Sequence, residues 1–173
     1  MRAIFVVMAV VLAAPLATAS EIRYTLSPEI EHGALRAIAV EMVLPGEGDG
    51  ETEIELPGEW GGKSELWRGI QDFRAAGKGM RLAAGQTSSL KVIRHDPGAT
   101  LTIRYRVIQF WQGEPTAGES NEYRPVINSR YFQLIGWTAF ARPRWSLATP
   151  VTVTFKDIPQ GWSFASDLEH APE

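Results

Sequence analysis

The chain contains no cysteine. This excludes disulfide bonds, thiolate metal ligands, a cysteine nucleophile and a lipid-bearing cysteine. A chain of 173 residues is still long enough to be held together by one hydrophobic core, because a domain of this size buries about 70% of the surface that its unfolded chain exposes. We therefore expect a single domain stabilised by its core, which suits a bacterial periplasm at least as well as a disulfide-forming compartment.

Histidine is scarce, and the histidines do not form a metal-binding pattern. His32, His95 and His170 lie far apart in the sequence, and no HExxH motif occurs. A zinc site needs ligands clustered at short spacing, so we predict no metal, no cofactor and a surface role for these side chains. The chain also lacks the G-x-S-x-G motif of a nucleophile elbow. No residue is therefore assigned as catalytic.

A phosphate-binding loop is missing as well, although residues 57–64 resemble the end of one. This glycine-rich stretch closes with Gly62, Lys63 and Ser64. The full motif requires a glycine where this chain has Pro57, and a long helix after the serine. Proline also lacks the N–H that would bind a phosphate. The sequence therefore predicts no nucleotide site.

Charge of one sign is not in excess either. The chain has 17 Lys and Arg against 20 Asp and Glu, which gives a formal net charge of −3. A nucleic-acid partner would favour a basic patch or stripe. We therefore predict no nucleic-acid binding.

Residues 1–19 have the pattern of a secretory signal peptide. Arg2 supplies a positive start, residues 4–14 are apolar, and Ala17 and Ala19 form an A-x-A cleavage site. The alternative is an uncleaved membrane anchor, but the apolar run is shorter than the roughly 20 residues that a spanning helix needs. We expect a periplasmic or secreted protein without membrane association after cleavage.

Beyond the signal, period-two alternation of apolar and polar residues predicts a series of strands. Residues 66–76 fit either a short helix or an extended segment, and Asp96, Pro97 and Gly98 predict a hairpin between the strands that flank them. About eight to ten short strands without a helical period indicate an all-β fold, an antiparallel β-sandwich. We place it at residues 20–166, followed by a polar tail at residues 167–173. The predicted strands are residues 22–27, 35–44, 52–56, 80–84, 90–95, 100–110, 150–156 and 162–165. In the strand at 150–156, Val151, Val153 and Phe155 are predicted to face inward.

Residues 122–145 hold the longest apolar run beyond the signal, bracketed by Pro125 and Pro143. Proline cannot continue a strand ladder, so residues 131–140 are predicted to be one buried strand. Strand alternation places two largely apolar sets on opposite faces. A two-layer sandwich buries one face of each sheet, so the second set is either a docking surface or covered by loops such as residues 111–120. The first set is Phe132, Leu134, Thr138 and Phe140, and the second is Tyr131, Gln133, Ile135, Trp137 and Ala139.

Six tryptophans raise the question of an aromatic binding platform. The sequence places four of them in or beside strands, where a core position is expected: Trp67, Trp137, Trp145 and Trp162. Trp60 and Trp111 lie in predicted loops and are the better candidates for stacking on a peptide or a sugar. The candidate binding residues are therefore Tyr131, Ile135, Trp137, Trp60 and Trp111.

Several runs, in this order, resemble one protein family. They are ELPGEWGG, RHDPGATLTIRYRV, YRPVINSRYFQLIG with FARP after it, and VTVTFKDIPQGWSFAS. Together they are similar to the amino-terminal β-sandwich domain of the glycyl aminopeptidase-like zinc metallopeptidases, peptidase family sixty-one. In that family the sandwich is followed by a zinc domain with HExxH and often by a PDZ domain. Since this sequence has no HExxH, the resemblance implies the sandwich and an exported location, and it does not imply peptidase activity for this chain.

The sequence thus favours an exported, non-catalytic β-sandwich that binds a peptide or protein partner. One alternative is a piece of an aminopeptidase completed by a separate chain that carries the zinc domain. Another is a carbohydrate-binding module that uses Trp60 and Trp111.

Overall fold

The computed structural model describes residues 21–113, 121, 123–145, 149–163 and 165–168. The predicted signal peptide, Glu122 and the end of the tail lie outside these residues. Eleven strands in the described part of the chain confirm an all-β fold with two main sheets. They are β1 (Ile22–Glu31), β2 (Ala34–Pro45), β3 (Glu51–Glu55), β4 (Ile70–Ala76), β5 (Arg81–Ala84), β6 (Leu90–Arg94), β7 (Thr100–Val107), β8 (Val126–Ile127), β9 (Phe132–Gln133), β10 (Arg142–Pro143) and β11 (Val151–Phe155).

The larger sheet has the order β11-β1-β2-β7-β4, and the second has the order β10-β3-β6-β5. The pairs are antiparallel except for β1 and β11, which run parallel. Alternate residues of β1, β2 and β7 face inward because successive side chains of a strand point to opposite faces. They meet Ile54 and Ile93 of the second sheet, and Leu56 just after β3, in one buried cluster, so the two sheets form a sandwich around a common core.

Helix is confined to two single turns in the described residues. Residues 66–76, left open between helix and strand, contain both: a 3-10 helix at Leu66–Gly69 and then β4. The helix α1 (Gly136–Ala139) lies in the central stretch. None of the helices in the described ranges is long and apolar enough to span a membrane.

The hairpin predicted at Asp96, Pro97 and Gly98 is wrong. β6 and β7 belong to different sheets, so this turn carries the chain from one layer to the other. The loop between β2 and β3 makes the same change of layer, and the two crossings bond to each other. Gly46 N–H donates to Ala99 O at 2.7 Å, and His95 N–H donates to Gly50 O at 2.9 Å.

The surface role expected for His95 is wrong, because the His95 side chain is buried at these two crossings. Its Nε2 lies 2.8 Å from Thr52 Oγ1 and its Nδ1 lies 2.8 Å from Asp96 O. A carbonyl oxygen can only accept, so Nδ1 carries a proton and donates to Asp96 O. A Cβ at Gly46 would lie 2.5 Å from the histidine ring, which explains the glycine there.

The single buried strand predicted for residues 131–140 is also wrong. β9 ends at Gln133, and the chain then turns through α1. Thr138 N–H and Thr138 Oγ1 both donate to Ile135 O, at 2.9 and 3.1 Å. This local bonding gives the backbone an alternative to a strand ladder, so the predicted division into two faces does not extend through the segment.

Two smaller expectations near the end of the chain fail as well. No strand forms in the described part of residues 162–165; Trp162 instead packs against Phe132, with ring centroids 6.3 Å apart. Val151 was predicted to face inward with Val153 and Phe155, but it is exposed. Its partner Ile22 begins β1, so the pair lies at the end of the sheet, where the core no longer covers both residues.

Candidate functional site

Trp60 stands at the tip of a small hairpin inside the loop predicted from glycine content. Trp60 and Lys63 exchange two backbone hydrogen bonds, each 2.9 Å long. Gly61 and Gly62 between them have φ of 56° and 73°, which is the geometry of a two-residue turn that favours glycine at both positions. Leu66 N–H donates to Gly58 O at 3.1 Å and closes the base of the loop. The loop is therefore held internally and presents its tryptophan outward.

Gly61 fixes this hairpin against the rest of the molecule. A Cβ at Gly61 would lie 2.3 Å from the Tyr123 ring, a distance that no side chain can occupy. The ring therefore packs directly on the glycine backbone. This close approach holds the tip of the hairpin against the segment that leads to β8.

Trp137 approaches the hairpin from α1. The two indole rings are stacked with centroids 5.6 Å apart and an interplanar angle of 6°. Both rings keep much of their surface in solvent, since Trp60 is 41% exposed and Trp137 is 48% exposed. The core position expected for Trp137 is therefore wrong, because α1 directs this side chain away from the core. Trp60 lies between strands, as predicted, and its side chain is exposed.

Arg142 supports the stack. Its guanidinium carbon lies 4.2 Å from the centroid of Trp137, within the range of a cation–π interaction. Nε and one terminal nitrogen of Arg142 donate to the same oxygen of Glu55, at 3.3 and 2.8 Å. The two residues are direct neighbours in the β10–β3 ladder. Glu55 thus orients the guanidinium, which in turn contacts the exposed indole.

Two buried tyrosines hold the backbone that links α1 to β10. The Tyr24 hydroxyl donates to Ala141 O at 2.7 Å, and Ala141 N–H donates to the Tyr105 hydroxyl at 3.2 Å. Tyr24 also stacks on Phe140 at 4.9 Å. Burial raises the pKa of Tyr105 well above its ordinary value, and burial likewise raises the pKa of Tyr24, with Arg142 opposing the shift. Both hydroxyls therefore stay protonated. Trp137 and Arg142 lie on either side of Ala141 in the sequence, and the two tyrosines fix the backbone of Ala141.

A cavity of about 360 Å³ opens beside the stacked rings. Its wall combines apolar side chains with the carboxylates of Glu55 and Glu59. A space of this size is at the small end of ligand pockets and fits one or two amino-acid side chains. Among the residues that line it are Ile22, Pro57, Trp137, Phe140 and Val151.

The structure brings Trp60 and Trp137 together and places the other candidate residues elsewhere. Tyr131 is exposed and lines a second cavity of about 980 Å³ with Phe132 and Trp162. Ile135 is half-buried and its carbonyl accepts from Thr138. Trp111 is half-buried, and its Nε1 donates to Pro125 O at 2.9 Å, so its polar edge is used inside the protein.

Sequence reasoning missed the residues that support the stack, namely Glu55, Arg142, Tyr24 and Tyr105. Their partners are distant in sequence, and the tyrosines have the same inward positions as ordinary core residues. The contacts Tyr24–Ala141 and Tyr105–Ala141 span 117 and 36 positions. Within the described residues, no three His, Asp or Glu side chains come together as a metal-binding group.

Comparison with known proteins shows a similarity of fold. No protein-family model matches the chain, and no curated protein sequence matches it. A crystal structure of an aminopeptidase N family protein from Idiomarina loihiensis is similar, with a TM-score of 0.57 and 16% sequence identity. The match covers 78% of this chain and 22% of that one. The chain thus spans about a fifth of that protein's length, and the similarity shows a shared fold.

Proposed function

We propose that this chain is an exported, non-catalytic β-sandwich of the peptidase-associated kind that binds a peptide or protein partner through Trp60 and Trp137. The peptidase connection is supported by the fold similarity to an aminopeptidase N family protein. The sequence resemblance to the amino-terminal sandwich of peptidase family sixty-one supports the finer assignment. Export is supported by the signal-like pattern of residues 1–19.

The stacked indole pair is the observation that carries this proposal. Exposed tryptophans are costly to leave in water, and tryptophan is enriched among the residues that dominate protein interfaces. Here two of them, 5.6 Å apart, are held by a closed hairpin, an ion-paired arginine and a backbone fixed by tyrosines. A surface that is ordered before binding loses little entropy when a partner docks. The arrangement therefore fits a recognition surface.

The neighbouring cavity favours a polypeptide ligand over a sugar. Its apolar wall, with Phe140 and Ile22, suits an apolar side chain, and Glu59 at the rim suits an amide or a cation. A sugar platform built on Trp60 and Trp111 is less well supported, because the Trp111 indole N–H is bonded to Pro125 O and Trp60 stacks on Trp137 instead. We therefore place peptide recognition first.

Selection of a random peptide library on the mature protein tests this proposal. Peptides that bind at the indole pair should lose at least about tenfold in affinity with Trp60→Ala or Trp137→Ala, because truncating an aromatic hot spot costs about 2 kcal/mol or more. Ile30→Ala is the matched control, since Ile30 is 45% exposed at the far end of β1. Peptides that bind equally well to both tryptophan variants would contradict the proposal.

The exported location has its own test. The protein recovered from the periplasm or medium of expressing cells should begin at Ser20, which amino-terminal sequencing determines directly. Retention of Met1 in the membrane fraction would identify residues 1–19 as an anchor and overturn this part of the proposal.

A second candidate is one part of an aminopeptidase whose zinc domain is on a separate chain. The observation that supports it is the fold similarity of this chain to part of an aminopeptidase N family protein. Co-expression with the product of a neighbouring reading frame that encodes HExxH should then yield aminopeptidase activity that neither chain has alone. The absence of such a reading frame, or activity in the zinc chain by itself, would reject this candidate.

A further inference from the structure

The edge of the second sheet at β5 has a regular pattern of backbone groups. Gly85 N–H donates to Leu90 O at 3.0 Å, so these two residues form a hydrogen-bonded pair in the β5–β6 register. Such pairs alternate along an antiparallel ladder. Ala83 and Arg81 therefore direct their N–H and C=O toward β6, and Leu82 and Ala84 direct theirs away from the sheet. In the described residues no strand pairs with β5 on that outer side.

An apolar cleft of about 590 Å³ lies next to this edge, between β5 of one sheet and β4 of the other. Leu82 shares the inner face with its buried partner Ile93, yet it is 43% exposed because no further strand covers it. A strand added beside β5 would place the residue opposite Leu82 on this same face, directly over the cleft. The cleft is also lined by Leu56, Trp67, Ile70 and Phe73.

The two edges that border the cleft differ in how open they are to pairing. β4 carries a bulge between Gln71 and Arg74, and Asp72 within it has φ of 52° and reaches Arg106. Bulges of this kind protect an edge against an added strand. β5 has an unbroken register with β6 over its whole length, so β5 is the edge that can extend.

The charge at β5 indicates what kind of strand fits. Arg81 stands directly opposite Arg94, and like charges in this position repel. Arg94 is paired with Glu51 at 3.1 Å, whereas Arg81 has no ion pair in the part of the chain that the structure describes. Lys91 adds a second positive charge at the wall of the cleft. A carboxylate on the other side of Arg81 would give this arginine an ion-pair partner, as Glu51 does for Arg94.

We propose that β5 is a second binding site, which takes an extended acidic segment of another protein as an added strand. Backbone bonds to Leu82 and Ala84 give the segment its register, an apolar side chain opposite Leu82 fills the cleft, and an aspartate or glutamate pairs with Arg81. This mode of recognition combines main-chain bonds for affinity with pockets for alternate side chains. It uses none of the residues of the stacked indole pair.

Ala84→Pro tests the backbone part of the proposal. Proline removes the outward N–H of Ala84 and leaves the inward ladder to β6 intact, which is the position where an edge strand tolerates it. The probe is a short acetylated peptide of alternating valine and glutamate, and its binding is followed by fluorescence of the tryptophan in the cleft. We expect roughly tenfold weaker binding, the effect of one lost hydrogen bond, with an unchanged urea midpoint.

Arg81→Glu tests the charge and does not depend on how the proline variant folds. This exposed variant should bind the valine–glutamate peptide about tenfold more weakly and a valine–lysine peptide more tightly than the parent protein. Ile30→Ala is the control and should change neither value, because Ile30 lies on an exposed part of β1 outside both proposed sites. Equal binding of both peptides by both proteins, or peptide-independent self-association of the chain through β5, would overturn the proposal.

Discussion

Residues 22–107 and residues 123–145 satisfy their backbone hydrogen bonds in two different ways. The first region uses long ladders, such as β1 with β2 and β2 with β7. The second region has strands of two residues and one helical turn, and side chains from elsewhere reach its backbone. Tyr24 and Tyr105 bind Ala141, and Gln109 accepts from Ile127 N–H at 2.9 Å.

This difference shows how an irregular segment can present a defined surface. A ladder holds the backbone N–H and C=O groups of a strand in an extended conformation, so the chain has no freedom to turn outward there. A segment held at a few points by buried side chains can instead form the α1 turn and still keep Trp137 in one place. The ladder region therefore supplies stability and the anchors, and the second region carries the exposed indole.

Removal of core volume from the ladder region should have the largest effect. Ile103→Ala deletes a fully buried side chain at the centre of β7, and such changes cost about 2–5 kcal/mol of unfolding free energy. Phe132→Ala is the contrasting variant, since Phe132 is only half-buried and lies in a two-residue strand. Urea denaturation should show a smaller loss for Phe132→Ala. Equal losses of unfolding free energy for the two variants would mean that side chains of both regions contribute equally to the core.

Tyr105→Phe should have the next largest effect and should act on the second region. The change leaves Ala141 N–H buried without its acceptor, which costs about 1–3 kcal/mol. Circular dichroism of the coupled indoles measures the consequence, because stacked indole rings give an exciton signal that disappears when they separate. We expect this signal to weaken at a lower temperature than the signal of the β-sheets.

Tyr24→Phe is the matched companion of that variant. It removes a donor from Ala141 O, and an unpaired carbonyl is tolerated more readily than an unpaired N–H. The loss of stability should therefore be smaller than for Tyr105→Phe. A larger loss would identify Tyr24 as the main anchor of the segment.

Alkaline pH should weaken the same anchors. The folded state raises the pKa of both tyrosines through burial, whereas an unfolded tyrosine titrates near about 10. The contribution of the two tyrosines to the free energy of unfolding is complete below about pH 10. Above this pH only the unfolded state releases the protons, so the free energy of unfolding falls by about 1.4 kcal/mol per pH unit for each tyrosine. Urea midpoints between about pH 8 and pH 11 should show this slope, and Tyr105→Phe should reduce it. An unchanged slope would contradict the role of Tyr105.

The ladder region was largely predictable from sequence, and its physical basis is local. Ile38, Val40, Met42 and Leu44 are large apolar residues at every second position of β2, and this period is set by strand geometry whatever the partner strand is. The connections were less predictable. A turn at Asp96, Pro97 and Gly98 is compatible with a hairpin and with a change of sheet, and the choice is made by His95 and Gly46, which meet only in the folded protein.

The exposure of the candidate site's tryptophans was predictable only in part, and their grouping was not predictable. Exposure of Trp60 followed from its glycine-rich loop. Trp137 was predicted to lie in a strand, because the apolar run around it resembles one, whereas it lies in α1 and is exposed. Its actual conformation depends on the anchoring of Ala141 by two tyrosines distant in sequence, for which a single sequence contains no local signal.

The smallest expected effect concerns the support of the indole pair by Arg142. Arg142→Lys keeps the charge but loses the planar group that lies over Trp137 and the two-nitrogen contact with Glu55. We expect a loss of about 0.5–1 kcal/mol in stability and a weaker exciton signal. Arg144→Lys is the matched control, because Arg144 makes a similar ion pair with Glu53 at 2.7 Å on a more exposed side chain. Ion pairs at such positions contribute about 0–1 kcal/mol, and Arg144→Lys should leave the exciton signal unchanged. If both variants weakened that signal equally, the indole geometry would depend on the β10–β3 ladder as a whole, and the contact between Arg142 and Trp137 would lose its special role.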